Sequence, residues 1–313
     1  MGMDRDKKNK PRHTSARRQP DDRWPEAKGR SRRSAGPKKP VSRPSAPAPE
    51  SRPRTAEPQE LPPDVLVGRN AVTEALRSGR GINKLLVAQG DHLGSIGEIE
   101  RLAHERRIPV EYVARQRIEQ AAGGHRHQGV LAYVAPVAYA ELSDILEQAA
   151  ARTEPPVLLL LDDLEDPHNL GALLRTADAA GIAGVLIPRR RSVPLNATVA
   201  KTSAGAIEYV PVARIGNIAQ TLKELKEKGF WVAGADMAGE KDYTEADLTG
   251  PLVLVVGGEG KGLSRLTREN CDFLVSLPMV GRINSLNASV AGSLLMYESL
   301  RQRRQKNKKN DIQ

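Results

Sequence analysis

The 313-residue chain has little of what would mark several common protein classes. Its one cysteine, Cys271, excludes an internal disulfide framework and fits a reducing cytoplasm. No apolar run approaches the length of a membrane span, and Met1 leads into a polar, charged segment without the apolar core of a signal peptide. Positive charge is scarce in the middle of the chain, where residues 61–300 hold 25 lysines and arginines against 29 acidic residues, a deficit of four. The net charge of +10 therefore comes from the ends. Residues 1–60 carry 17 basic residues against 8 acidic ones, and residues 301–313 carry 6 against 1.

Residues 1–62 are rich in Pro, Arg, Lys and Ser, hold almost no large apolar side chain beyond Trp24, and show no periodicity, so they are expected to be disordered. Such an arm can neutralise nucleic-acid phosphates and release counterions. A solvated tail without a specific partner fits the same composition. The basic run at the C-terminus, taken as a tail from residue 306, invites the same two readings.

Length allows about two domains. Residues 63–138 read as a small α/β unit, with a helix from about Asn70, a strand at Lys84–Val87, a helix over Gly97–Glu105, a strand at Val110–Val113, a short helix at Arg115–Ala122 and a strand over Val130–Val137. Its loop Gly123–Gly129, GGHRHQG, is flexible and polar. His125 and His127 are poor metal ligands, with no Cys or acidic partner near in sequence, and an RNA contact and an ordinary turn both fit. Residues 139–154 read as a linker.

From residue 155 to about 305, apolar runs alternate with helical patterns: strands at Val157–Leu161, Val185–Ile187, Tyr209–Val212, Trp231–Ala235, Leu252–Val256 and Phe273–Leu277, with helices between them. Continuous apolar strands mean a parallel sheet buried on both faces, and ligands of such sheets bind beyond the carboxyl ends of the strands. Three strand ends carry unusual chemistry. The first is Asp162–Ile182, where a helix over Leu170–Ala180 places Asn169 near its start and Arg175 within the next two turns, so that both could address one ligand. The second is Leu252–Ser264, with glycines around Glu259 and Lys261. It is neither a Walker A loop nor a dinucleotide fingerprint, because Gly262 follows Lys261 and the glycine spacing does not match, which leaves a backbone able to approach a ligand closely. The third is Leu277–Glu298, a strand end, a polar loop with Ser285, Leu286 and Asn287, and a helix from Ala288. Ser285 and Asn287 are good capping types.

Asn169-x-Gly171 with Arg175-Thr176-Ala177, Gly257-x-Glu259-x-x-Gly262, and Leu277-Pro278-Met279 with Ser285-Leu286-Asn287-x-Ser289 resemble, in order and spacing, the three motifs of the SpoU/TrmH family of RNA ribose methyltransferases. The resemblance covers residues 155–305, and the small N-terminal unit is similar to that family's substrate-binding domain. It implies a trefoil-knotted α/β methyltransferase domain, an exception to the general absence of knots. It also implies S-adenosylmethionine as cofactor, contacted by Gly257, Leu277 and Leu286. Arg175 takes the pivotal role at the ribose, with Asn169, Glu259, Ser285 and Asn287 positioning it and the substrate. The implied substrate is RNA, most closely a guanosine of large-subunit ribosomal RNA, with transfer RNA and a non-catalytic RNA-binding role as alternatives. The implied assembly is a homodimer through the last helix, whose small residues Ala288, Ser289, Gly292 and Ser293 suit close contact.

Overall fold

A computed structural model describes residues 61–90 and 94–310. The N-terminal arm expected over residues 1–62 lies outside these, apart from its last two residues. Leu61 is buried in a cluster with Val65, Val67 and Leu131, so the folded chain has begun by that point.

The first sheet has the order β1-β4-β2-β3, formed by β1 (Val65–Val67), β2 (Ile82–Ala88), β3 (Val110–Val113) and β4 (Val130–Val134). β4 is antiparallel to β1 and β2, and β3 is parallel to β2. Helices α1 (Arg69–Ser78), α2 (Ser95–Glu105) and α3 (Arg115–Ala121) connect these strands. The amphipathic spacing of α1 and α2 buries Val72, Leu76, Ile96 and Ile99 in one cluster with Leu85 and Val130.

The second sheet has seven strands in the order β7-β6-β5-β10-β8-β11-β9, with every neighbouring pair parallel. Its strands are β5 (Val157–Asp162), β6 (Gly184–Pro188), β7 (Val212–Ile215), β8 (Trp231–Ala235), β9 (Lys241–Asp242), β10 (Leu252–Gly257) and β11 (Phe273–Ser276). β5 and β10 are continuous apolar runs because helices cover both faces of the sheet. Those helices include α5 (Pro167–Ala180), α7 (Ile218–Glu227) and α9 (Ala288–Asn310). After β11 the chain turns back, so that α9 lies against α5 and β10. This return is the path that a knotted fold requires.

Several expected element boundaries change, among them the start of α5 at Pro167, not Leu170, and the end of β4 at Val134, not Val137. The strand expected at Tyr209–Val212 begins only at Val212, because Gly205 at φ 97° starts a 3-10 turn over Ala206–Glu208 and the Tyr209 hydroxyl donates to Glu74 Oε2 at 2.6 Å. The stretch taken as a linker contains α4 (Leu142–Ala150), with Ile145 and Ala149 buried beneath the second sheet's strands. The C-terminal basic run is helical through Asn310 because its polar side chains reach the body: Arg303 donates to the carbonyls of Pro155 and Gly250, and Lys306 to Thr249 Oγ1.

The two sheets are joined by a buried seam. Arg80 and Glu208 form an ion pair at 2.7 Å with side chains only 8% and 6% exposed. The helix α6 (Ala197–Thr202) serves both cores, with Ala197 packed among first-sheet residues and Val199 among the apolar residues under the second sheet. Among the described residues no helix is long and apolar enough to cross a membrane.

Candidate active site

In the second sheet the register sets Gly257 opposite Asp162 and Val275 opposite Ala235, so the carboxyl ends of β5, β10, β8 and β11 share one edge. The loops leaving that edge build the site. Asp166 caps α5, accepting from the His168 amide at 2.9 Å, with Pro167 pre-set for the first helical position. This start holds Asn169 in the first turn, only 5% exposed. The loop after β10 is held by Asp162, whose carbonyl accepts from Gly258 N at 2.7 Å and whose carboxylate accepts from Ser264 N at 2.8 Å. Asp162 is a site residue that the motifs do not include. Its signal in the sequence is an acid ending an otherwise apolar strand.

The three strand ends meet in one hydrogen-bonded cluster. Asn169 Nδ2 donates to Glu259 Oε1. Asn287 Nδ2 donates to the same oxygen at 2.7 Å and to Asn169 Oδ1 at 3.0 Å. Asn287 Oδ1 meanwhile accepts from Ser289 N at 2.9 Å and from Ser289 Oγ, so this residue both caps α9 and joins the cluster. Glu259 thus has one carboxylate oxygen committed to two amides, which orients it without a cation.

A cavity of about 430 Å³ opens beside the cluster, lined by Asp236, Met237, Gly257, Leu277, Ser285 and Leu286 among others. Its wall at Gly257 is bare backbone, since a Cβ there would stand 2.1 Å from Gly262 C. Leu277, Met279 and Leu286 supply apolar surface. An apolar slot of this size edged with backbone polar groups fits a flat heteroaromatic ligand with a short charged tail. A second cavity of about 420 Å³, lined by Asp163, Glu165 and Asp166, shares Gly258, Glu259 and Lys261 with the first and also reaches Asn169. The cluster therefore stands between two cavities of different character, one apolar and one polar.

Arg175 is not in the cluster. It is exposed on α5, and among the described residues it makes no hydrogen bond or ion pair. Six residues from Asn169 turn the helix by about 240°, so the two side chains leave it on different sides. Ser285 is exposed and lines the first cavity. Cys271 offers no nucleophile: burial pushes its thiol up to about 12, and its Sγ donates to Thr267 O at 3.3 Å.

The small residues of α9 do not form the surface expected of them. Ala288 and Gly292 are buried and Ser289 and Ser293 half-buried, a Cβ on Gly292 would stand 2.6 Å from Leu173 Cδ2, and Ser293 Oγ meets Thr176 Oγ1 at 3.0 Å. Gly292 and Ser293 serve the packing of α9 on α5 within the chain. What α9 exposes is a stripe of Val290, Leu294 and Tyr297 at helical spacing.

Comparison with known proteins agrees with this geometry. Residues 156–297 match the model of the SpoU rRNA Methylase family, and residues 65–140 match that for RNA 2'-O ribose methyltransferase substrate binding. A Bacillus subtilis protein named as a TrmH family tRNA/rRNA methyltransferase is 50% identical over 240 residues, 77% of this chain and 96% of its own length. A similarly named protein of Staphylococcus aureus is 49% identical over 239 residues, 76% of this chain and 96% of its own. Among solved structures, the SpoU methyltransferase AviRb from Streptomyces viridochromogenes in complex with AdoMet superposes with a TM-score of 0.65 at 25% identity, over 77% of this chain and 90% of that one. An RNA 2'-O ribose methyltransferase superposes with a TM-score of 0.65 at 26% identity, over 76% of this chain and 88% of that one. With the fold of the SPOUT-type methyltransferases, the small substrate-binding sheet before it and all three motifs in place, the chain belongs to the SpoU/TrmH family of RNA methyltransferases.

Proposed function

We propose that the protein transfers a methyl group from S-adenosylmethionine to a ribose 2'-hydroxyl of RNA, at a guanosine of large-subunit ribosomal RNA. The observation that carries this reading is the position of the Asn169–Glu259–Asn287 cluster between two cavities, since a two-substrate transfer needs a donor pocket and an acceptor pocket meeting at one point. Gly257, Leu277 and Leu286 would hold the cofactor, whose chemistry is an already activated methyl group. The chain's own task is then alignment and removal of a proton from a weakly acidic alcohol.

Glu259, oriented by Asn169 and Asn287, is placed to orient the ribose by accepting a hydrogen bond on its remaining carboxylate oxygen. Ser285 has a hydroxyl at the first cavity and can bond to either substrate. Arg175 holds its proton too tightly to act as a simple base, so its role is to bind the phosphate next to the target ribose and orient the hydroxyl. Asp163 and Glu165, which line the second cavity, supply acceptors of the kind that the adjacent N1–H and N2–H donors of a guanine require. The test is direct: purified protein is titrated with labelled S-adenosylmethionine and then given protein-free large-subunit ribosomal RNA or transfer RNA. Ribose methylation of the first is expected, and cofactor binding without transfer to either RNA would leave a binding protein instead.

The same reading includes a homodimer through α9, now assigned to Val290, Leu294 and Tyr297. Single apolar side chains on a surface are ordinary, but a contiguous stripe on one helix marks an interaction face. Leu294→Asp is expected to yield monomers in sedimentation and to lower activity. A wild-type protein that sediments as a monomer removes the proposal.

A further inference from the structure

The loop Gly123–Gly129 has a partner that no motif foretold. His125 Nδ1 lies 3.2 Å from Lys201 Nζ, a contact between residues 76 apart that joins the first sheet's loop to α6. The loop is held in place. Gly123, Gly124 and Gly129 take positive φ, Arg69 donates to Gln128 through both its backbone N and its Nε, and His127 is buried, with Nδ1 accepting from Gly129 N at 3.1 Å. α6 is just as fixed: Thr202, the residue after Lys201, donates to Pro167 O at 3.3 Å, and Gly171 leaves room for its hydroxyl where a Cβ would sit 1.8 Å away. Pro167 and Gly171 flank Asn169. Thr202 thus packs α6 onto the first turn of α5, which carries Asn169, and Lys201 is the residue before it.

The charge at this point is unusual. Lys201 is half-buried, and among the described residues no carboxylate lies within ion-pair distance of it. Burial alone pulls its pKa down, with no acid acting to raise it. An ammonium has three donors, of which one goes to His125 Nδ1 and leaves two. Arg126, next in the loop, is exposed. A cation already stripped of part of its water and lacking a protein counter-charge is an anion site, since a bound anion offsets the cost of its desolvation.

We propose that Lys201, held by His125 Nδ1, binds with Arg126 a backbone phosphate of the substrate RNA at the seam between the two sheets, so that one strand is gripped by both while its ribose enters the cluster. This rests on the RNA methyltransferase reading above and deepens it by naming the contact that couples the substrate-binding sheet to the catalytic one. A phosphate contact positions the nucleic acid and carries no sequence information.

The test uses the full chain with Lys201→Gln, Arg126→Gln and Lys201→Arg, and two probes, an unstructured oligouridylate and protein-free large-subunit ribosomal RNA. For Lys201→Gln the KM for RNA is expected to rise about tenfold or more, as removal of a charged hydrogen bond implies. The slope of log affinity against log salt should become shallower by roughly 0.7 to 0.9 for each phosphate no longer neutralised. S-adenosylmethionine affinity, thermal midpoint and turnover at saturating RNA should hold. Lys201→Arg should restore the salt slope, which a merely structural lysine would not require. An unchanged slope in both Gln variants overturns the proposal, as does a joint loss of cofactor binding, which would make Lys201 a scaffold residue. Failure of the underlying reading looks different: wild-type protein would then transfer no methyl group to any RNA.

Discussion

Replacing Arg175 with alanine is expected to abolish methyl transfer while leaving S-adenosylmethionine binding nearly intact. Arg175 is exposed on α5, is joined to none of the cluster residues, and lines neither of the two cavities beside them. Its removal should disturb neither the fold nor the apolar slot. The variant lacks a planar guanidinium that can hold a phosphate bidentately and fix the neighbouring ribose. Losing the group that fixes the neighbouring phosphate misaligns the reacting hydroxyl, and misplacement of that kind lowers turnover by about a hundredfold or more. Arg175→Lys should recover little of this, because a point charge does not reproduce the fork. Single-turnover transfer together with equilibrium binding of labelled cofactor separates the two effects. Near-normal turnover in Arg175→Ala would remove Arg175 from the reaction.

Gly257→Ala should act in the opposite way, by weakening cofactor binding and lowering stability together. The added Cβ would meet Gly262 C at 2.1 Å, Gly262 O at 2.3 Å and Leu263 N at 2.5 Å. All three are backbone atoms in a loop that Asp162 anchors at Gly258 and Ser264, so no rotamer change can relieve the clash. The loop must shift, and Glu259 shifts with it, away from Asn169 and Asn287. Overpacking of this kind costs about 1–3 kcal/mol, and a deficit of that size in binding lowers affinity by roughly tenfold to a hundredfold. Gly281→Ala is the matched control, since its Cβ would enter open space and its φ lies outside the left-handed range. Calorimetric titration of both variants with S-adenosylmethionine decides the matter. Wild-type affinity in Gly257→Ala would refute the assignment of that wall to the cofactor.

The sequence by itself determined the alternation of strands and helices, the burial of β5 and β10 on both faces, and which three strand ends meet in one hydrogen-bonded cluster. These are local matters: an apolar run such as Val157–Leu161 is legible because each side chain must leave water whatever lies beside it, and Gly257 and Asn287 announce backbone requirements in their own identity. Where the local pattern misled, a distant partner was the cause. The small residues of α9 were legible as a close-packing surface, but only the return of the chain onto α5 set Leu173 against Gly292 and Thr176 against Ser293. Arg175 and Asn169 were readable as neighbours on one helix, yet their hydrogen-bonding fates differ because Glu259 and Asn287, 90 and 118 residues beyond Asn169, come to one side of that helix alone. The His125 loop was legible as a polar loop that could meet RNA, but Lys201 was not singled out, and the two became a charged seam only when two sheets closed on α6. A hydrogen bond or an ion pair depends on what lies within a few ångströms, and across such separations along the chain that is set by tertiary packing, not by local pattern.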